Sequence, residues 1–177
     1  MGREIVREMN QLGMLVDISH VSHQVMEQVL EISQAPVIFS HSSAVAVNSH
    51  PRNVPDDILK KLPATDGVVM INFMSGYVVP DDQLAQNRRA RGTIHDVMDH
   101  IEHVIKVAGI DHVGIGSDFD GVSSLPQGLD DVSYYPGLTQ LMLDRGYTES
   151  DIHKLLGENV LRVFEKAEQV ARELQTQ

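Results

Sequence analysis

Four short segments of the chain are apolar without alternation and rich in β-branched residues: Gly13 to Ile18, Pro36 to Ser40, Gly67 to Phe73 and His112 to Ser117. Continuous rather than alternating hydrophobicity marks strands covered on both faces. Between these segments the apolar positions recur at helical spacing. Met1 to Leu12 predicts a first helix, and Ser22 stands where it would cap a second, in which Val25, Met26, Val29 and Leu30 share one face. Asp56 to Leu62 follows the turn "NVPDD" as a short helix. The clearest pattern runs from Thr93 to Ala108: Thr93 and Asp96 are spaced as a capping box, Ile94, Val97, Met98, Ile101, Val104 and Ile105 form a stripe, and Gly109 supplies the stop. Further helices are expected near Gly137 to Arg145, Glu149 to Leu156 and Asn159 to Leu174.

Strands and helices alternate, so the fold class is α/β, with about four parallel strands and covering helices. The strand starts lie 23, 31 and 45 residues apart, which brackets the roughly 30-residue unit of an eight-stranded β/α barrel. Four strands cannot close such a barrel. The expectation is a single segment, residues 1–177, forming half of a barrel or a small open sheet. The widest gap holds a polar stretch, residues 74–92.

Composition narrows the function. With 42% hydrophobic and 22% charged residues among 177, the chain is globular in makeup rather than disordered. Its net charge of -11 repels a phosphate backbone, so no nucleic-acid partner is expected. The basic cluster Arg88, Arg89 and Arg91 has no interleaved aromatics and reads as a solvated loop. No apolar run has the length of a membrane span, and the first residues lack a signal-peptide core, so a cytoplasmic location is the expectation. Cysteine is absent, which leaves histidine and carboxylate as the available metal ligands.

In parallel β/α folds the site forms where the strands' carboxyl ends meet the loops. His20, His41 and Asp118 each follow an apolar segment by a residue or two, so the fold would carry all three to one rim. Two imidazoles and a carboxylate are a donor set for zinc and similar divalent ions. Arg52, in "HPRNVPDD", could clamp a carboxylate with its two-pronged guanidinium. Asp120 is read as a turn former before Gly121. His112 should be structural, since it starts the segment that Asp118 ends. His95, His100 and His103 are assigned to the solvated face of the capped helix, His23 and His153 to helix surfaces, and His50 to a loop without a role. The glycines of "GIGSDFDG" do not open a helix and are no dinucleotide fingerprint.

Taken together, "NQLGMLVDISH", "PVIFSHSSA", "RNVPDD", "GVVMINF" and "HVGIGSDFDG" closely resemble the renal or membrane dipeptidase family of zinc metallopeptidases, in order and over nearly the whole chain. The resemblance implies a metal-dependent hydrolase barrel of the TIM type in which two zinc ions serve dipeptide hydrolysis. It implies that His20 and His41 ligate one zinc, that Arg52 binds the dipeptide's carboxylate, and that Asp118 is the acid/base group. The family's other zinc is held by a His-x-Asp pair on the first strand, with a glutamate bridging both metals. None of the nine histidines here is followed two residues later by aspartate. The expectation is therefore the carboxyl-terminal half of the barrel, with at most a partial zinc site. As alternatives, the chain is a non-catalytic half-barrel that forms a homo-oligomer or joins a separate amino-terminal half, or it is a gene fragment.

Overall fold

A computed structural model describes residues 1–176. The first helix, α1 (Gly2–Leu12), ends on Gly13, which adopts a left-handed φ of 75°. A side chain there would also crowd Ala171, whose Cβ lies 3.3 Å from the position a Cβ would take. Gly13 thus belongs to the helix end, and the first strand, β1 (Val16–Asp17), is shorter than the hydrophobic run suggested. The other strands are also shorter: β2 (Val37–Phe39), β3 (Val68–Ile71) and β4 (Val113–Ile115). Apolar patterning reports burial, which extends past the paired residues into the loops.

All four strands are parallel, in the order β1-β2-β3-β4. The sheet is open, an α/β arc and not a closed barrel. Between strands run α2 (His23–Ile32), the short α3 (Asp56–Leu59) and α4 (Leu62–Thr65), and the long α7 (Ile94–Ala108). Ser22 caps α2, and Thr93 and Asp96 form the expected capping box on α7. The polar stretch 74–92 includes the helices α5 (Ser75–Val78) and α6 (Asp81–Gln86), each too short for periodicity to reveal, while Arg88, Arg89 and Arg91 lie in the loop after α6, as expected. After β4 come α8 (Tyr135–Asp144), α9 (Glu149–His153) and α10 (Asn159–Gln175), the last two joined through a wide turn at Lys154–Glu158. Among the described residues no helix is long and apolar enough to cross a membrane.

One face of the sheet, through Val37, Phe39, Val69, Ile71 and Val113, packs with Met26, Ile58, Leu62, Val97, Met98, Ile101 and Val104 into the main core. The opposite face presents Ile38 and Val68, covered by Val163 of α10. This last helix ties the strands together at their amino ends. Asn159 Nδ2 donates to the carbonyls of Ile110 and Val113 (2.7 and 2.8 Å), Arg162 bonds Asp66 and the Asp111 carbonyl, Ala167 and Val170 pack on Ala35, and Gln175 reaches the Gln11 carbonyl. With their amino ends held by α10, the strands are free to present their carboxyl ends as a polar rim.

Candidate metal centre

Asp17 is the last residue of β1, and Ser40 follows β2 directly. Alternation along each strand places both on the side away from the main core. The Asp17 carboxylate accepts hydrogen bonds from the Ser19 and Ser40 amides on Oδ1 (3.0 and 3.1 Å) and from the Ser40 hydroxyl on Oδ2 (2.5 Å). Burial works against its charge, but these bonds and the nearby His41 outweigh it and hold the carboxyl below its ordinary pKa.

The two Ser-His pairs brace one another across the strands. Ser19 Oγ accepts the His41 amide at 3.1 Å and lies 3.2 Å from Ser42 Oγ, while Ser40 Oγ is 2.7 Å from His41 Nδ1. His20 is set beside its counterpart by a left-handed backbone, φ 65°. The outcome is a direct meeting of the two rings, with Nε2 of His20 2.6 Å from Nε2 of His41 and the planes at 61°. Burial, then the positive charges of Arg52 and His41, keep the His20 pKa below its ordinary value, against the opposing pull of Asp118 and Asp17. Neutral imidazole is the ligating form.

Arg52 is positioned by a tightly bonded loop. Ala44 and Val54 form a parallel bridge, Asn53 links Ser43, Asn48 and Tyr77, and Asn48 Nδ2 donates to the Val79 carbonyl at 2.6 Å. The Arg52 guanidinium bonds the His41 carbonyl (3.3 Å) and lies 5.7 Å from the Tyr77 ring centre, and its Nε is enclosed without a hydrogen-bond partner. Asp118, also left-handed at φ 62°, accepts from Asn72 Nδ2 at 3.3 Å. Its carbonyl accepts the Gly121 amide, closing the turn in which Asp120 is exposed. A side chain on Gly116 would fall on the Ser40 carbonyl, so the backbone before Asp118 lies against the backbone before His41.

The four residues named from the sequence thus occupy one rim. His20 and His41 touch, Arg52 bonds the backbone of His41, and Asp118 acts on His20 through its charge. The two converging imidazoles suit a divalent ion of zinc's kind, but they make only half of a tetrahedral shell. Two nitrogens on one such ion would stand about 3.3 Å apart, given bonds of about 2 Å, so the rings need open only slightly to admit it. Among the described residues the group of three His or carboxylate side chains whose ligand atoms come within 4.8 Å of one another is a different one, exposed His23, half-buried Glu27 and exposed Asp57. That group is occupied by its own ion pairs, His23 with Asp57 and Glu27 with Lys61.

Sequence reading missed Asp17, Ser40 and Asn72, which hold the rim together. The repeated Ser-His was the available signal for Ser40. His100 is a correction. Assigned to a solvated helix face, it is fully buried, its Nδ1 accepting the Ala44 amide (2.9 Å) and its Nε2 donating to the Val78 carbonyl (3.1 Å). His112 is structural as expected, bonded to the Gly67 carbonyl at 2.8 Å from a turn preceding β4. His50, left without a role, stacks on Tyr77 and accepts the Arg52 amide.

An open parallel α/β sheet carries paired histidines on its carboxyl rim, a donor pair suited to a divalent ion. The model of the membrane dipeptidase family (peptidase family M19) matches residues 1–177, and the chain belongs to that family. Two uncharacterized dipeptidases of Schizosaccharomyces pombe are 49% and 46% identical to it, each over 98% of the chain and over 40% and 41% of their own lengths. A metallopeptidase from Rhodobacter sphaeroides, solved with a phosphinate mimic of the dipeptide L-Ala-D-Ala, superposes with a TM-score of 0.86 at 36% identity, covering 94% of this chain and 46% of that one. The chain therefore spans less than half the length of these relatives.

Proposed function

We propose that the chain supplies one side of the active site of a zinc-dependent dipeptidase. The observation that carries this reading is the meeting of His20 Nε2 and His41 Nε2 at 2.6 Å on the carboxyl ends of adjacent parallel strands. Zinc, when bound, acidifies a water and polarises the scissile carbonyl. The chain's own residues do the rest. His20 and His41 hold the ion, Arg52 pairs with the dipeptide's terminal carboxylate, and Asp118 takes a proton from the attacking water and returns it to the leaving amine. The Asn72 amide fixes one Asp118 oxygen and leaves the other for that transfer. The ligand in the Rhodobacter sphaeroides structure suggests dipeptides ending in a D-residue among the substrates.

The unpaired outer edges of β1 and β4 support assembly with further strands. Beside β4 lies an apolar groove lined by Ile115, Tyr135, Pro136, Leu143 and Leu156, with Leu143 and Leu156 almost half exposed. The missing metal ligands come, on this reading, from the barrel segment that the relatives carry in addition. The test joins the amino-terminal portion of a fission yeast relative to this chain and measures dipeptide hydrolysis with and without zinc. Zinc-dependent turnover lost in His41→Ala and in Asp118→Asn is expected. A folded, zinc-loaded joined protein without turnover would refute the reading.

A further inference from the structure

Resting on the reading of His41 as a metal ligand, the geometry points to Asp17 and Ser40 as positioning residues that fix the tautomer of His41 and so present its Nε2 lone pair to the ion. An ionised carboxylate only accepts, so Ser40 Oγ, 2.5 Å from Asp17 Oδ2, spends its single proton on Asp17. Ser40 Oγ can then only accept from its other neighbour, His41 Nδ1, at 2.7 Å. The His41 proton sits on Nδ1, and Nε2 is bare. By the same logic His41 Nε2 must accept from His20 Nε2–H at 2.6 Å. Every bond in the series points one way, from His20 to Asp17. Metal-binding histidines commonly have their second nitrogen oriented by a carboxylate, and loss of that partner costs about 10–100-fold in metal affinity; here a serine hydroxyl is interposed.

Asp17→Asn offers a test at constant shape. Two backbone amides, Ser19 and Ser40, donate to Asp17 Oδ1, so the amide oxygen of the new side chain takes that position and its NH2 faces Ser40. Ser40 must then donate to His41 Nδ1, which moves the ring proton to Nε2. The experiment is long-range 15N–1H correlation NMR on histidine-labelled, metal-free chain, together with zinc affinity by chelator competition. The expected result is the Nδ1–H form of His41 in the wild type, the Nε2–H form in Asp17→Asn, and zinc affinity lower by about 10–100-fold in Asp17→Asn and Ser40→Ala. Ser40→Thr, which keeps the hydroxyl, should restore both. A wild-type His41 in the Nε2–H form, or a tautomer unmoved by Asp17→Asn in a chain whose circular dichroism and melting are unchanged, overturns the assignment. The NMR arm decides the relay without metal, whereas the expected tautomers together with the same zinc affinity in the wild type, His20→Ala and His41→Ala refute the ligand reading instead.

Discussion

Acidification should destabilise this fold, most strongly through the buried His100. Its ring is fully buried with Nδ1 accepting from Ala44 and Nε2 donating to Val78, an arrangement that only the neutral tautomer satisfies. Burial, with a smaller push from the charge of His103, lowers its pKa from 6.5 to about 4, against the opposing effects of the Val78 carbonyl and Asp96. The folded value lies below the unfolded one, so the unfolded chain binds the proton first. The stabilisation is complete above about pH 6.5, falls as the pH drops, and is gone below about pH 4. At about 1.4 kcal/mol per pH unit the whole effect is about 3 kcal/mol, of which about 2 kcal/mol disappears between pH 7 and pH 5. Urea unfolding at both pH values, in the wild type and in His100→Gln, isolates it, because glutamine can make both bonds without titrating. The wild type should lose about 2 kcal/mol more than the variant over that interval, and the His100 ring should titrate near 4 by NMR. Equal pH dependence in the two proteins, or a ring titrating near 6.5, would refute the argument.

Three other outcomes are expected. Gly116→Ala forces a methyl group onto the Ser40 carbonyl and should lower stability by about 1–3 kcal/mol in chemical unfolding, with weakened zinc binding because the displaced backbone leads into His41. Asn159→Ala leaves the carbonyls of Ile110 and Val113 without their donor and should cost about 1–3 kcal/mol; an unchanged unfolding midpoint would mean that α10 is not tied to the strands this way. In the joined protein, Arg52→Lys should raise KM for dipeptides more than it lowers kcat, since an ammonium cannot match the two-pronged pairing of a guanidinium with a carboxylate; steady-state kinetics separate the two.

The fold class and the rim were legible in the sequence because both are written in local pattern. Unbroken apolar runs announced the parallel strands, and the residue just past each run announced the rim, which is how His20, His41 and Asp118 could be named. Strand ends were not legible, because burial continues beyond pairing: Gly13 looks like the start of a strand but is required as a helix terminus. His100 was misassigned because its burial depends on the Ala44 and Val78 loops folding over α7, contacts made 56 and 22 residues away in the chain. Asp17 and Ser40 were quoted within their motifs but not interpreted, since their partnership exists only once β1 and β2 pair in register.

The most direct test of the account is equilibrium dialysis of the purified chain against zinc, comparing the wild type with His20→Ala, His41→Ala and His23→Ala. The account predicts zinc bound by the wild type and by His23→Ala, and lost in both His20→Ala and His41→Ala. Retention of zinc in the His20 and His41 variants, with loss in His23→Ala, would contradict it and move the metal to the group of His23, Glu27 and Asp57.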